Sequence, residues 1–465
     1  MDTNWRPDIA AAPGPIYRAL ADQIVDAVSR GTIKAGARLP PVRDLAWDIK
    51  VSPGAVARAY RIATERGALE ATVGRGTFAR ASGPRGFALD ALLAPSPGGK
   101  IDLRGNRAVD VGQHVEINAA LRRMMEGPSP LSLTDYRTAE DDAPARASLA
   151  RWLQGFGAPA EPGRLIITAG AQEGVMAALC ALSRNGEGVA FTEALVHPGL
   201  KDCAEAARLK LEPIAMDGEG MLPDALHAAC ARRRPDAVLL TTTFHNPTLA
   251  TMSARRREEI VAVARARDVA LVEDAVYGHL LDAPPPSLAE LAPERCWLVT
   301  SFSKCVAAGL RAGMIMTPPG ETLRTLRAHQ AIAHQTPWLV SGLAAALVDG
   351  GEAEIIRRRV AAEIRARAEV ATEALGACGA RIDPAAGFVM LPMPEGLSSG
   401  EFAAAAAAQD VLVAPRAAYA VGRAQGRDFV RVALGARASR TQLAEGVARL
   451  SRLLADGPHL AQALT

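Results

Sequence analysis

From about Ile101 onward the chain repeats one pattern, a short apolar run followed by an amphipathic stretch at helical spacing. The runs are Leu165–Thr168, Val189–Thr192, Ala237–Thr242, Ala270–Glu273, Cys296–Thr300 and Met314–Thr317. Strands buried on both faces read this way, and the helices between them supply the crossovers that parallel strands need. The pattern restricts this segment to an α/β fold with a mostly parallel sheet. From about Ser341 long Ala- and Arg-rich helices follow, then strands at Phe388–Leu391 and Phe429–Leu434. These predict a smaller α+β lobe over about 341–465.

The first 80 residues are patterned differently. Ile16, Leu20, Ile24 and Val28 recur at helical spacing, and Gly31 stops the helix. The Leu39-Pro40-Pro41 turn opens a second helix, Val42 to Ile49. A third runs from Pro53 to about Arg66, with Ser52 as its cap and Pro53 suited to its first position. Ala71–Val73 and Thr77–Ala79 read as strands joined by the Gly74-Arg75-Gly76 turn. Three helices and a small hairpin make a winged helix-turn-helix. Residues 81–100, rich in Gly, Pro, Ser and Ala, read as a linker with a short helix at Ala88–Leu93. The expected division is therefore 1–80, 81–100 and 101–465.

Charge adds a little to this. Residues 1–80 hold 12 Lys+Arg and 8 Asp+Glu, a net of +4, which leaves −1 for the remainder of a chain whose total is +3. A mildly basic head on a neutral body is compatible with a nucleic-acid partner. Six scattered cysteines without a C-x-x-C pair exclude a disulfide framework or a zinc ribbon. The N-terminus lacks the apolar core of a secretion signal and no apolar run approaches a membrane span, so the expected location is the cytoplasm, away from membranes.

Lysine occurs only at positions 34, 50, 100, 201, 210 and 304. Lys304 follows the apolar run Cys296–Thr300, within Ser301-Phe302-Ser303-Lys304. An ammonium at the end of a buried strand is costly unless its charge is removed or matched, and joining the amine to an aldehyde cofactor removes it. Ser301, Ser303 and Arg311 offer hydroxyls and a guanidinium suited to a phosphate. Asp274 ends another apolar strand, where it either caps the next element or pairs with a protonated pyridine nitrogen. Tyr277 lies three residues on. Asn246, before Pro247, ends a third strand, and Ala171 and Gln172 open a helix directly after a fourth. Each segment alone also fits an ordinary loop. Together they line the carboxyl edge of one sheet, where α/β folds place ligands.

In this order the segments resemble the fold-type I aminotransferases over roughly residues 101–450. That resemblance implies pyridoxal 5′-phosphate as cofactor, joined to Lys304, with Asp274 at its pyridine nitrogen. It makes Asn246 and Tyr277 partners of the ring's phenolic oxygen, and sets Ala171, Gln172, Ser301, Ser303 and Arg311 around the phosphate. Arg431 matches the arginine that grips a substrate α-carboxylate. Tyr136 resembles the tyrosine that reaches the neighbouring subunit's phosphate, which implies a homodimer. His197 is a departure, since relatives usually stack a tyrosine on the ring there, and imidazole titrates near neutral pH.

The head resembles the GntR-type winged helix through Gly36-Ala37-Arg38-Leu39-Pro40-Pro41-Val42-Arg43-Asp44-Leu45-Ala46 and Gly74-Arg75-Gly76-Thr77-Phe78. The likeness implies DNA contacts from Arg43, Ser52, Gly74, Arg75 and Thr77. Pro53-Gly54 stand where relatives often carry Arg-Thr, which removes a side chain able to read guanine, and Arg58 and Arg61 are the candidates for phosphate contacts instead. The combination is similar to the MocR-type transcriptional regulators. It implies a DNA-binding regulator that senses pyridoxal phosphate, an amino acid, or both. The alternative is an active aminotransferase, in full or half-reaction, with an accessory head.

Overall fold

A computed structural model describes residues 5–7, 15–29, 32–34, 36–65, 68–72, 76–79, 98–126, 136, 138, 140–159, 161–184, 188–422 and 426–455. The described residues fall into two compact units, one within 1–87 and the other within 88–457. The linker helix expected at Ala88–Leu93, the stop at Gly31 and the wing residues Gly74 and Arg75 lie outside the described residues.

In the first unit α1 (Ile16–Ser29), α2 (Val42–Asp48) and α3 (Pro53–Glu65) precede a hairpin of β1 (Leu69–Thr72) and β2 (Gly76–Ala79). The hairpin is antiparallel, with Leu69 opposite Ala79 and Thr72 opposite Gly76. Leu20, Ile24, Leu45, Val56, Tyr60, Leu69 and Ala79 form its core. The inward face of α1 is Leu20, Ala21, Ile24 and Ala27, while Ile16 at its first turn is 46% exposed. The apolar stripe therefore begins one turn later than its spacing implies. Ser52 caps α3 by accepting the Ala55 N–H at 3.2 Å.

The second unit is built on a seven-stranded sheet in the order β4-β12-β11-β10-β9-β5-β6. Its members are β4 (Leu165–Thr168), β5 (Gly188–Glu193), β6 (Leu209–Ile214), β9 (Ala237–Leu240), β10 (Leu271–Asp274), β11 (Cys296–Ser301) and β12 (Gly313–Met316). All run parallel except β12, which is antiparallel to both neighbours. The mostly parallel sheet is thus present, with one further strand, β6. Lys210, Glu212 and Pro213 break its apolar run, which an edge position allows. A small hairpin of β7 (Met216–Asp217) and β8 (Gly220–Met221) follows it.

A second sheet orders β13 (Arg381–Ile382), β14 (Phe388–Pro392), β17 (Phe429–Ala433) and β16 (Ala414–Pro415). Beside it β3 (Ile101–Asp102) pairs in parallel with β15 (Val411–Leu412). The start of the body therefore belongs to its last lobe. The helix Trp338–Asp349 adds Leu343, Ala344 and Leu347 to the core of the large sheet.

The carboxyl ends of β9 and β10 are fixed by a buried ion network. Arg257, 1% exposed, donates from Nη1 to Glu273 Oε1 at 3.4 Å and to Thr242 Oγ1 at 3.1 Å. Its Nη2 donates to Thr243 Oγ1 at 2.8 Å, and Glu273 Oε2 accepts the Leu288 N–H at 2.8 Å. Removing one partner of a buried pair leaves a charge without compensation. Arg257→Ala should therefore lower urea-derived stability by about 3–5 kcal/mol, and adding Glu273→Gln should recover part of that loss. No recovery in the double variant would show that the ion pair does not carry the effect.

Candidate functional site

Six parallel strands end at the same edge of the sheet, and the expected residues sit there. Asp274 closes β10 and is buried. Its carboxylate accepts one long hydrogen bond, from the Val276 N–H at 3.4 Å. Burial raises its pKa to about 6, with the Lys304 charge opposing and Glu273 adding to the rise. A buried carboxyl this poorly satisfied is stable only if a donor or a cation completes it.

Lys304 follows β11. Its amine donates to the Asn106 carbonyl at 2.7 Å and stands 5.6 Å from the centre of the Tyr277 ring. Part of the side chain faces the open cleft, yet the protein around the amine lowers its pKa to about 8, chiefly through burial and then Arg431, against the attraction of Asp274. An amine close to neutrality can react as a nucleophile and hold or release a proton near physiological pH.

The Tyr277 hydroxyl accepts hydrogen bonds from Asn106 Nδ2 at 3.1 Å and Asn246 Nδ2 at 3.4 Å, and burial lifts its pKa to about 12. Arg431, 1% exposed in the middle of β17, donates from Nη1 to Asn246 Oδ1 at 3.3 Å and from Nη2 to the Arg104 carbonyl. Its Nε has no partner among the described residues. Two neutral oxygens thus face a buried guanidinium whose natural complement is a carboxylate.

A small anion cradle lies beside these groups. Gly170 caps the helix Ala171–Leu182 with φ +100°, a backbone state that favours glycine. A Cβ there would meet the Arg311 guanidinium at 2.2 Å, and one on Gly313 would meet the Gly170 backbone at 2.5 Å. Arg311 donates to the Ala169 carbonyl at 2.9 Å and to Ser303 Oγ at 3.4 Å, while Ser301 Oγ accepts the Ser303 N–H at 3.4 Å. Helix-start N–H groups, two hydroxyls and a guanidinium converge as phosphate binding requires. Gln172 packs against Gly199 two residues beyond His197.

The structure brings Lys304, Asp274, Tyr277, Asn246, Arg431, Arg311, Ser301, Ser303, Ala171 and Gln172 to one edge. Tyr136 stands apart, 84% exposed, with its ring 5.1 Å from that of His334. Sequence reasoning missed Asn106. It accepts from Lys304, donates to Tyr277 and keeps its buried Oδ1 without a partner. Only long-range pairing reveals it, since the surrounding Arg104-Gly105-Asn106-Arg107 has no periodicity. Glu193, buried at the end of β5, was also missed, although the argument that singles out Asp274 applies to it equally.

In the first unit Arg43 is exposed on α2 and Thr77 is partly buried on β2. Arg58 lies over the Tyr17 ring at 4.1 Å, and Arg61 is partly buried on α3. Ser52 is exposed where α3 begins.

The departure at His197 has a different consequence from the one its residue type implies. Its Nδ1 accepts the Gly199 N–H at 3.2 Å, and burial together with Lys304, Arg431 and Lys201 lowers its pKa to about 3. The imidazole is therefore neutral across physiological pH. Because its folded pKa lies below the unfolded value, the unfolded chain binds the extra proton as pH falls through 6.5, and stability drops. His197→Asn retains a capping side chain without the titration. On going from pH 7.5 to 5.5 the wild type should lose about 1.4 kcal/mol more stability than His197→Asn. Equal pH sensitivity of the two proteins would contradict the neutral assignment.

Residues 100–450 match the family described as aminotransferase class I and II, and residues 16–79 match the bacterial regulatory proteins of the gntR family. The HTH-type transcriptional regulator TauR of Rhodobacter capsulatus is 26% identical over 95% of this chain and 97% of its own length. The vitamin B6 salvage pathway transcriptional repressor PtsJ of Salmonella typhimurium is 28% identical over 65% of this chain and 67% of its own. Among solved structures, the α-aminoadipate aminotransferase LysN of Thermus thermophilus, complexed with N-(5′-phosphopyridoxyl)-L-leucine, superposes with a TM-score of 0.71. It is 25% identical, covering 82% of this chain and 97% of that one. The chain belongs to the aminotransferase class I and II family and carries a gntR-type helix-turn-helix ahead of it, the make-up of a MocR-type regulator.

Proposed function

We propose that this chain is a transcriptional regulator whose body holds pyridoxal 5′-phosphate and reads an amino-acid or cofactor effector. In this reading residues 1–80 form the DNA-binding head, 81–100 a tether and 101–465 the sensing body, and the protein works in the cytoplasm. One observation carries the cofactor. A nearly unsatisfied buried carboxylate, Asp274, lies within electrostatic reach of the part-neutral amine of Lys304, beside a built anion cradle.

The residues present fit the group. Arg311, Ser301, Ser303 and the helix start at Ala171 and Gln172 would hold its phosphate. Asp274 would keep its ring nitrogen protonated, Asn246 and Tyr277 would face its phenolic oxygen, and Lys304 would attach it. His197, neutral and beside the same cleft, would lie against the ring. When bound, the cofactor supplies an electron sink for the α-carbon of an amino acid. The chain's own part is to orient and to exclude water. Arg431 offers a fixed fork for an α-carboxylate, while Asn106 and Asn246 hold the Tyr277 hydroxyl in place.

A homodimer is supported by apolar side chains left exposed beside one another's helices. Val115 and Met125 are 60% and 66% exposed on His114–Glu126, and Leu339 is 50% exposed on the packed helix Trp338–Asp349. With Tyr136 also exposed, a second copy is the natural occupant, and it would pair two heads over two DNA half-sites. An effector then acts only by favouring one arrangement of the body over another. A second reading, a working aminotransferase with an accessory head, draws on the lowered pKa of Lys304, which suits a group that moves a proton.

The test is a gel shift on DNA from the chain's own upstream region, with and without pyridoxal phosphate and amino acids. Arg43→Ala should abolish or strongly weaken the complex, and the ligands should change the wild-type affinity. Unchanged binding by Arg43→Ala would refute the assigned role of the head, and stoichiometric keto-acid release without any effect on DNA binding would favour the enzyme.

A further inference from the structure

One group at the cleft is buried without a stated purpose. Tyr419 is 0% exposed, and its hydroxyl has no hydrogen-bond partner among the described residues. A phenol sequestered this way loses its hydration and gains nothing in return, a standing cost unless a ligand completes it. The ring packs among Leu195, Ala414 and Phe429, and its centre lies 5.4 Å from Cζ of Arg431. Burial raises its pKa to about 12, so at neutral pH the hydroxyl keeps its proton and can donate.

The segment that carries it is held firmly. The Tyr419 carbonyl accepts the Val196 N–H at 2.9 Å, and the Val421 N–H donates to the Ala194 carbonyl at 3.0 Å. Lys201 Nζ donates to the Ala418 carbonyl at 2.6 Å. These bonds stitch the turn after β16 to the stretch that carries His197, so the backbone that carries the phenol is fixed before any ligand arrives. Beside it, Arg431 keeps an unpartnered Nε and satisfies its other nitrogens with neutral oxygens only. A cation with an unpartnered Nε thus stands over the ring whose hydroxyl is also unpartnered, both of them buried.

We propose that Tyr419 is a ligand-positioning residue, whose hydroxyl donates a hydrogen bond to the carboxylate that Arg431 grips. The pocket is then built for ligands that carry a carboxylate at that point, α-amino acids rather than simple amines. This rests on the cofactor reading above and deepens it. Arg431 supplies the charge, and Tyr419 fixes which way the carboxylate turns.

The experiment uses the cofactor-free full-length chain and two stable probes, the borohydride-reduced conjugates of pyridoxal phosphate with glycine and with methylamine. They differ in the carboxylate. Tyr419→Phe should weaken the glycine conjugate about 10- to 100-fold, the range for a hydrogen bond to a charged group, and leave the methylamine conjugate unchanged. Without ligand, Tyr419→Phe should melt at the same temperature or higher, because the hydroxyl it removes has no partner. An equal loss for both conjugates, no loss for either, or a lower melting temperature would each overturn the role given to Tyr419. If neither conjugate binds the wild type, the cofactor reading falls first and this one with it, whereas tight wild-type binding with an insensitive variant sinks Tyr419 alone.

Discussion

A carboxylate buried with a single long N–H for company is the constraint around which this fold is arranged. Asp274 ends a central strand of the large sheet, where it is 8% exposed and no cation among the described residues pairs with it directly. Burial shifts its preference toward the neutral form and raises its pKa to about 6. A cationic ring nitrogen would reverse that preference, so ligand and carboxylate depend on each other. Next to it in sequence, Glu273 faces the opposite side of the strand and is paired with Arg257. Two neighbouring acids on one strand thus meet different fates, one paired within the protein and the other held open.

The rest of the site is organised by a strap, residues 103 to 108, that crosses the cleft. Ala433 donates to the Leu103 carbonyl at 2.8 Å, Arg107 to the Gly435 carbonyl at 2.9 Å and Ala108 to the Ser303 carbonyl at 2.9 Å. Between these anchors the Arg104 and Asn106 carbonyls accept from Arg431 and Lys304. Arg431 and Lys304 are therefore both held by backbone oxygens of one short segment, which ties the large sheet to the smaller lobe. A ligand that takes either cation away from the strap also loosens that tie, and this is a physical route from the pocket to the shape of the body.

Much of this was legible in the sequence, because the chemistry is local. Lys304, Asp274 and Asn246 are polar residues where apolar strands end, and burial makes such placements informative whatever surrounds them. The strands of the large sheet were legible for the same reason. What escaped depends on contacts between distant segments. Asn106 sits in a stretch without periodicity and gains its role from Tyr277 and Lys304, 171 and 198 residues away. Tyr419 lies among alanines, and only its position beside Arg431 distinguishes it. The edge strand β6 carries charges and a proline that hide its period. At His197 the residue type implies titration near neutrality, and its cationic neighbours override that.

The account depends on the amine of Lys304 being the group that bonds the cofactor aldehyde. Reduction with borohydride after incubation with pyridoxal phosphate, followed by peptide mass mapping, tests this directly. The account predicts one phosphopyridoxyl group per chain, on the peptide that contains Lys304, at cofactor concentrations that leave Lys201 and Lys210 unmodified. Label distributed over the other lysines, or none on Lys304, would contradict it.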